Sequence, residues 1–434
     1  MSVRVRFAPS PTGNVHIGNI RVAIFNWLFA RHEGGKFLLR IEDTDRERST
    51  PEAIKGVLDT MEWLGLDFNE EPLYQSARKD AHLAAAEELL KKGLAYKEDK
   101  GATGKGECVV FRMPDQDVAF HDEVKGDLRK EAKDLQDFVI VRSDGTPVFH
   151  LANVVDDIEM KITHIIRGDD HVENTFKHIP LLKALGAEPP KYAHLPMIIN
   201  QQGKPYSKRD GSAFVGEFRE MGFLAYALFN YLALLGWSPG GDREKMTRED
   251  MTALFTLDRV KSGPAQMDIK KLTHLNAEYV SELTLDEFAG KAERVIADSD
   301  WSRDIDKDYF MRVCELMQTR THVLTYAEDW GYFFSDELKY DEKAVRKFLK
   351  KEGIRAMLTD LRGVLAEIDF IEEPIEQAIR QVERACDIKE GKLNQSVRIA
   401  VTGVSRGAGL YETMVLLGKE RVLKRLDYAV KNLC

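Results

Sequence analysis

Apolar positions near the start of the chain alternate between strand and helix patterns. Residues 3–7 alternate as a strand, and an apolar helical pattern begins near His16. Residues 37–41 are apolar enough for a buried strand, and Pro51 suits the first turn of a second helix over residues 52–64. This order of strand, helix, strand and helix predicts the start of a parallel α/β sheet.

The α/β pattern is interrupted once and then resumes. Residues 96–150 hold short polar segments beside a glycine-rich loop, which indicates an insertion. The glycines of that loop are Gly101, Gly104 and Gly106. The pattern returns with a strand at residues 162–166, a helix over about 174–185 and a strand at 195–199.

Helical periodicity dominates from about residue 215 to the end of the chain, and residues 422–433 form a clear amphipathic helix. The most apolar stretch, residues 223–237, is shorter than the ~20 residues that a membrane span needs. We therefore expect this stretch to be a buried helix, with no membrane association. The pattern as a whole predicts a parallel α/β domain with an insertion, followed by an all-helical C-terminal half.

The composition is that of an ordinary globular protein, with 43% hydrophobic and 31% charged residues. The N-terminus shows no apolar leader segment. The cysteines are too far apart in sequence for a zinc knuckle, and they are Cys108, Cys314, Cys386 and Cys434. We therefore expect free thiols, no bound zinc and a cytoplasmic location.

The net charge is -9, which argues mildly against a nucleic-acid partner, but the charge is unevenly distributed. Residues 341–434 carry 18 lysines and arginines against 15 aspartates and glutamates, whereas the rest of the chain carries 45 against 57. A polyanion could therefore be held by local basic faces while the acidic remainder faces solvent.

A first candidate motif joins the first strand to the first helix at residues 9–19. Ligands bind at this position in open α/β sheets, and a helix N-terminus attracts phosphate. Gly18 lets a nucleotide approach the backbone, and His16 can donate a hydrogen bond to a phosphate. A lone histidine at a helix start is more often a cap or a surface residue, so the surrounding string must carry the argument.

A second candidate motif, residues 203–211, follows the last predicted strand and is bracketed by glycines, which predicts a mobile loop. Its adjacent cations Lys208 and Arg209 could clamp a triphosphate and stabilise the charge that builds up on departing pyrophosphate. A lysine and arginine pair in a loop is more often only solvated.

Two arginines just inside predicted strand ends, Arg6 and Arg167, are candidates for binding a carboxylate. Arginine offers a bidentate fork and stays charged at any relevant pH. A structural ion pair is the competing interpretation for each arginine.

These strings resemble the two signature motifs of class I aminoacyl-tRNA synthetases, in the form found in bacterial glutamyl-tRNA synthetases. The first motif ends on Asn19 where the HIGH signature has histidine, a change that the family tolerates. Residues 207–209 match the KMSKS signature, whereas Pro205 and Tyr206 replace its first lysine and apolar residue. The contact of that lysine with phosphate is then missing unless Lys204 substitutes for it.

The resemblance assigns roles residue by residue. The implied catalytic residues are His16, Gly18 and Lys208. The implied ATP-binding residues are His16, Gly18, Asn19, Asp170, Ser207, Lys208 and Arg209. The implied glutamate-binding residues are Arg6, Ser10, Glu42, Phe149, Asn153 and Arg167, with Phe149 standing where the family often has tyrosine. The implied tRNA-binding residues are Asp45 and Arg320.

The resemblance also implies a Rossmann-type parallel-sheet catalytic domain with an inserted α+β acceptor-binding subdomain and an all-helical C-terminal half. The implied segments are 1–95 and 151–202 for the catalytic domain, 96–150 for the insertion, 203–300 for the KMSKS loop and stem-contact region, and 301–434 for the anticodon-binding domain. A helical anticodon domain argues against the glutaminyl type, which uses a β-barrel there.

The implied activity is ATP-dependent ligation of L-glutamate to tRNA-Glu through a glutamyl-adenylate, with Mg²⁺ and by a monomer. Additional charging of tRNA-Gln stays open, as does a non-catalytic synthetase-like tRNA-binding protein. A small-molecule nucleotidyltransferase would share the logic of the first motif. Such proteins are short, however, and would have no use for the helical C-terminal part.

Overall fold

The computed structural model describes residues 2–11, 13–45, 48–99 and 106–434. Thr12 of the first motif and Gly101 and Gly104 of the insertion loop lie outside these ranges. The chain forms two compact units, which are Met1–Arg219 with Ala225–Leu272 and Glu220–Leu224 with Thr273–Cys434.

The first unit contains strands throughout its length. They are β1 (Arg4–Phe7), β2 (Lys36–Ile41), β3 (Leu73–Tyr74), β4 (Ala95–Glu98), β5 (Cys108–Phe111), β6 (Val118–Asp122), β7 (Gly126–Lys130), β8 (Phe138–Val141), β9 (His164–Gly168), β10 (Lys191–Leu195), β11 (Ile198–Ile199) and β12 (Ala265–Gln266).

The helices of the first unit alternate with these strands and then follow them. They are α1 (Ile17–His32), α2 (Pro51–Trp63), α3 (Lys79–Lys91), α4 (Phe149–Glu159), α5 (Val172–Ala184), α6 (Val215–Glu220), α7 (Ala225–Leu234), α8 (Arg248–Leu254) and α9 (Ile269–Ser281). Helix α6 ends at the first residue of the second unit, and α9 runs on into that unit.

The main sheets of the first unit have mostly parallel strands. One has the order β1-β2-β3 and the other β7-β6-β10-β9, with parallel pairing except between β6 and β7. Strands β1 and β9 lie side by side, because the amide of Thr163 donates to the carbonyl of Arg4 at 2.9 Å. The predicted Rossmann-type sheet is confirmed.

The insertion divides its strands between two places. Strands β4, β5 and β8 form a separate antiparallel sheet. The hairpin of β6 and β7 instead joins the main sheet, where Asp122 pairs with Tyr192 of β10. The end of β6 therefore lies next to β10, which the sequence pattern did not predict.

Helix α1 shows how the local sequence sets an element that the site depends on. Nδ1 of His16 accepts the amide of Gly18 at 3.0 Å and caps the helix N-terminus. The helix ends before two glycines, and Gly34 adopts a φ of 60°. At Gly35 an added Cβ would lie 2.4 Å from the carbonyl oxygen of Val3, so only glycine lets β2 start beside the first strand.

The predicted strand at residues 195–199 is displaced in the structure. The strand that pairs in the sheet is β10, which ends at Leu195, and a separate short strand begins at Ile198. Pro196 lies in the gap because proline has no N–H for a strand ladder. Its carbonyl accepts a hydrogen bond from the buried guanidinium of Arg21.

The second unit is helical, as predicted. Its helices are α10 (Leu285–Ile296), α11 (Lys307–Met317), α12 (Gly331–Phe334), α13 (Glu342–Ala344), α14 (Ile354–Glu367), α15 (Glu372–Ala385), α16 (Asn394–Thr402), α17 (Leu410–Leu417) and α18 (Lys419–Asn432). Helix α18 confirms the amphipathic helix predicted at residues 422–433.

Two further predictions concern the apolar stretch and the cysteines. Residues 223–237 contain α7, which is buried over most of its length. None of the helices in the described ranges combines the length and the apolar content that crossing a bilayer requires. All four cysteines are free thiols, as expected.

A buried carboxylate holds the helices of the second unit together. Glu383 of α15 is fully buried and accepts the amides of Gly391 at 3.0 Å and Leu393 at 2.8 Å. It also pairs with Arg380 at 2.6 Å. Since Leu393 precedes α16, this one side chain fixes the loop between two helices.

We predict that Glu383→Ala lowers the free energy of unfolding by about 3 kcal/mol, because it leaves buried amides and a guanidinium without their acceptor. The matched control is Glu376→Ala, which removes a half-exposed carboxylate that pairs with the same Arg380 at 3.3 Å. That change should cost less than about 1 kcal/mol. Urea unfolding of the whole chain measures both variants, and equal losses would contradict the prediction.

Candidate active site

A cleft of about 480 Å³ opens in the first unit at the carboxyl ends of β1, β9 and β10, beside the N-terminus of α1. The predicted site residues that line it are Arg6, Ser10, His16, Gly18, Asn19, Glu42, Phe149, Asn153, Arg167 and Asp170. The parallel strands bring these residues together from positions that are up to 164 residues apart in the sequence.

One wall of the cleft is a buried ion-pair cluster. The carboxylate of Asp157 accepts Nε of Arg6 at 3.0 Å and Nη1 of Arg40 at 2.5 Å. Arg40 also donates to Glu42 at 3.2 Å and to the side-chain oxygen of Asn153. Burial alone would raise the pKa of Asp157, but the two guanidinium groups outweigh it and hold that pKa below its ordinary value.

Arg40 and Asp157 were not predicted as site residues. Neither carries a role in the resemblance, although Arg40 lies within the strand predicted at residues 37–41. A signal was present for Arg40, because a charged residue within an otherwise apolar strand must find a buried partner. The identity of that partner, on a helix 117 residues away, was not readable from the pattern.

Arg167 also lines the cleft, and its hydrogen-bond partners are neutral. Its Nε donates to Nε2 of His194 at 3.2 Å, and its Nη2 donates to Thr175 at 2.7 Å and to the carbonyl of His171 at 3.2 Å. Burial lowers the pKa of Arg167 to about 10, and the nearby charge of Arg6 adds to this effect. Among the described residues, no carboxylate pairs with Arg167.

Aromatic rings and neutral imidazoles form the wall near Phe149. The Phe149 ring stacks on His171 with centroids 5.8 Å apart and an angle of 28°. His150 and His178 contact the other side of Phe149 and share a hydrogen bond of 3.1 Å. Burial lowers the pKa of His150 to about 4 and that of His178 well below its ordinary value. This wall therefore adds no positive charge at neutral pH.

The first motif presents a neutral histidine at the cleft. Nδ1 of His16 accepts the Gly18 amide, so the proton of the neutral ring is on Nε2. Burial lowers the pKa of His16, which the backbone of Tyr206 and the charge of Glu217 only partly offset. The ring is therefore a hydrogen-bond donor beside the open N-terminus of α1.

The two motifs meet at the ring of Phe214. The His16 ring contacts it edge to face with centroids 5.8 Å apart. Nζ of Lys208 lies 4.4 Å from the centre of the same ring. Pro205 and Tyr206 line the cleft, whereas the matched residues 207–209 do not. The loop thus borders the cleft while its cations stand just outside the cleft.

Asp210 shapes the loop of the second motif. Its carboxylate accepts the amide and the hydroxyl of Ser207, both at 2.9 Å, and the side-chain amide of Asn200 at 2.6 Å. Lys208 and Arg209 lie within this folded turn and are exposed. Their exposure leaves both side chains accessible to a triphosphate.

The residues predicted to bind RNA lie elsewhere. Asp45 follows β2 and pairs with Arg48 at 2.6 Å outside the cleft lining. Arg320 belongs to the second unit and is exposed. Arg398 lies close enough to Arg320 to sense its charge, and Nη1 of Arg398 is buried without a hydrogen-bond partner among the described residues.

The described ranges contain no cluster of metal ligands. No three or more histidine, cysteine, aspartate or glutamate side chains in those ranges are grouped so as to hold an ion. Glu42, Asp169 and Asp170 line the cleft, and they do not form such a group.

Comparison with known proteins gives matches along the whole chain. The family model described as "tRNA synthetases class I (E and Q), catalytic domain" matches residues 2–103 and 97–274. A model described as "Anticodon binding domain" matches residues 279–430.

Curated relatives cover the chain almost end to end. The glutamate–tRNA ligase of Legionella pneumophila strain Corby is 39% identical, with 100% of this chain and 98% of the relative covered. Glutamate–tRNA ligase 2 of Thermoanaerobacter pseudethanolicus is 37% identical, with 99% and 98% covered.

Solved structures agree with these relatives. A glutamate tRNA ligase from Elizabethkingia meningosepticum in complex with its amino acid superimposes with a TM-score of 0.85 at 28% identity, covering 100% of both chains. The glutamate-tRNA synthetase of Elizabethkingia anophelis gives a TM-score of 0.83 at 28% identity, also covering 100% of both chains. The chain therefore belongs to the class I tRNA synthetases of the E and Q type.

Proposed function

We propose that this protein ligates L-glutamate to tRNA-Glu, using ATP and a glutamyl-adenylate intermediate, for protein synthesis. The observation that carries the proposal is Arg167, a buried guanidinium that faces the cleft without a carboxylate partner in the described part of the chain. The relatives named glutamate–tRNA ligase support the choice of amino acid and RNA.

The charges around the cleft support an acidic amino acid. Arg6 and Arg40 are paired with Asp157 and Glu42, whereas the positive charge of Arg167 has no paired carboxylate among the described residues and is left in excess at this point of the cleft. Free glutamate has a net charge of −1 and would balance this excess. Glutamine has no net charge, and its amide NH₂ would face guanidinium groups that have no acceptor.

Each functional group of glutamate then has a protein partner in the proposal. Arg167 and Arg6 grip carboxylates, and Glu42 accepts the ammonium group. Asn153 and Ser10 supply neutral hydrogen-bonding groups at the rim of the same cleft. Phe149 offers an aromatic face without a hydroxyl.

In the first step the α-carboxylate of glutamate attacks the α-phosphorus of ATP. A bond forms between the carboxylate oxygen and phosphorus, and the bond from phosphorus to the departing pyrophosphate breaks. Nε2–H of His16 and the positive end of the α1 dipole stabilise charge on the phosphates from one side. Lys208 and Arg209 approach from the loop, and Asn19 and Asp170 contact the nucleotide.

Magnesium enters in this proposal as part of the ATP substrate, bound to its phosphates. The side chains of the described residues do not provide a three-ligand protein site for it.

In the second step the terminal 2′-hydroxyl of the tRNA attacks the activated carbonyl, which releases AMP. Asp45, at the end of β2, is the residue we assign to the acceptor end of the tRNA.

We also propose that residues 301–434 read the anticodon, since the match to the anticodon-binding model spans residues 279–430. Arg320 is exposed there, and the partly buried Arg398 lies close enough to sense its charge. Burial lowers the pKa of Arg398, Tyr332 and Glu412 oppose this shift, and the charge of Arg320 adds to it. Two neighbouring guanidinium groups that repel each other favour an anionic or base partner. The division of the chain at residues 95, 150, 202 and 300 is part of the same proposal.

The proposal is tested by pyrophosphate exchange and aminoacylation with purified tRNA-Glu and tRNA-Gln. We expect exchange that depends on glutamate, is not supported by glutamine and appears when tRNA-Glu is present. Charging of tRNA-Gln to a similar extent would identify the enzyme as non-discriminating. Tight tRNA binding without exchange or charging would contradict ligation and favour the non-catalytic tRNA-binding alternative.

We predict that Lys208→Ala slows glutamate activation about 100-fold, because a cation that stabilises departing pyrophosphate is removed. The dissociation constant for tRNA-Glu should change less than about twofold, since Lys208 stands beside the nucleotide cleft. Single-turnover activation and filter binding measure the two quantities. An unchanged activation rate would remove Lys208 from this role.

We predict that Arg320→Ala raises KM for tRNA-Glu about tenfold and leaves kcat nearly unchanged, because one base contact is worth about 1–3 kcal/mol. The matched control is Arg303→Ala, another exposed arginine of the second unit, which pairs only loosely with Asp300 at 3.5 Å. Steady-state charging of tRNA-Glu and tRNA-Gln measures both variants. Equal effects of the two substitutions would show that Arg320 contributes general charge and not recognition.

A further inference from the structure

We propose that Asp122 and His194 are positioning residues that fix the direction in which the Arg167 guanidinium faces the cleft. The inference rests on the proposed function in one respect, namely that Arg167 holds a carboxylate of the amino acid. Neither Asp122 nor His194 lines the cleft, so both would act through Arg167.

The chain of contacts starts at the end of β6. The carboxylate of Asp122 accepts Nδ1–H of His194 at 2.6 Å, and it also accepts the backbone amide of His194 at 3.1 and 3.2 Å. Both side chains are almost completely buried. Because a carboxylate can only accept, the proton of the neutral imidazole is on Nδ1, and Nε2 carries a lone pair.

That lone pair faces Arg167 and also the hydroxyl of Thr175, whose oxygen lies 3.1 Å from Nε2. Nε–H of Arg167 donates to Nε2 of His194 at 3.2 Å, while its Nη2 is held by Thr175 at 2.7 Å and by the carbonyl of His171 at 3.2 Å. Two of the three guanidinium nitrogens are therefore fixed by protein, and Nη1 has no hydrogen-bond partner among the described residues. The planar group is thus locked with one edge available to a ligand.

The charge state of His194 is consistent with this role. Burial lowers the pKa of His194, the hydrogen bond to Asp122 opposes this shift, and the charge of Arg167 adds to it. A neutral ring is required here, because an imidazolium would place an N–H and a positive charge against Nε–H of Arg167. Burial would raise the pKa of Asp122, but His194 and the Lys125 amide hold it below its ordinary value.

The first member of this chain belongs to the insertion. Asp122 ends β6, and its Oδ1 accepts the amides of Val124 at 3.0 Å and Lys125 at 2.8 Å in the turn to β7. These hydrogen bonds from the turn fix the orientation of the Asp122 carboxylate independently of its contact with His194. The hairpin of residues 118–130 therefore supplies Asp122, the first residue in the chain of contacts that orients the Arg167 guanidinium.

A competing interpretation is that the pair only fastens β6 to β10. Two substitutions at His194 separate the interpretations. Asparagine places an amide near Nδ1, which keeps a donor for Asp122 but removes the acceptor for Arg167. Glutamine places its oxygen near Nε2, which keeps the acceptor for Arg167 and weakens the contact with Asp122.

We expect His194→Asn to raise KM for glutamate about tenfold in aminoacylation with saturating tRNA-Glu, since a buried hydrogen bond to a charged group is lost. KM for ATP should stay unchanged and kcat should change less than about threefold. His194→Gln should keep KM for glutamate within about threefold of the wild type. An unchanged KM in His194→Asn, or a larger rise in His194→Gln than in His194→Asn, would overturn the inference.

A crystal structure of His194→Asn tests the geometry without activity. We expect the Arg167 guanidinium to rotate away from the position set by Thr175 and His171, and an unchanged position would overturn the inference. If the wild-type protein fails to charge any tRNA with glutamate, the proposed function falls while this crystal structure still decides whether His194 orients Arg167.

Discussion

A buried positive charge without a matching carboxylate dominates the chemistry of the cleft. Desolvation makes an isolated buried guanidinium costly, so such groups are normally paired. Asp157 meets this requirement for Arg6 and Arg40, and it holds both at one wall. Arg167 is stabilised by a ring nitrogen, a hydroxyl and a carbonyl, which accept from its Nε and Nη2 without cancelling its charge. Its positive charge therefore has no paired carboxylate among the described residues, which is the condition that an anionic ligand relieves.

The fold places this unbalanced charge at a ligand-binding position, because the parallel strands all end at one edge of the sheet. Arg6 and Arg167 lie near the carboxyl ends of β1 and β9, and the N-terminus of α1 opens beside them. The positive end of the α1 dipole attracts phosphate at that same edge. A diacid and a triphosphate can then meet with their reacting atoms between two positive regions. The neutral histidines around Phe149 keep a third positive region from forming and competing for either ligand.

The elements near the start of the chain were predictable because their signals are local. A histidine cap, two glycines and an apolar period define α1, and the order of β1, α1, β2 and α2 follows from the same rules. The candidate residues in the two motifs were readable from strings with recognisable spacing. The sequence pattern did not predict that the strand ends before Pro196. An apolar run does not show whether its proline interrupts a strand or ends it. The entry of the β6 and β7 hairpin into the main sheet was not readable either, since strand pairing depends on partners that are distant in sequence.

The contacts that hold the arginines were the least predictable part of the site. Asp157 lies 151 residues from Arg6, and Asp122 lies 72 residues from His194, so no spacing rule connects them. A buried polar residue reveals only that some partner must exist. The presence of an arginine in the sequence indicates only the charge of a site. Ligand selection depends on which edge of the guanidinium is free, and the buried acceptors around the arginine determine that edge. Arg6 gives Nε and Nη2 to Asp157, and Arg167 gives Nε and Nη2 to neutral groups, so the same side chain becomes half of an ion pair in one place and an open cation in the other.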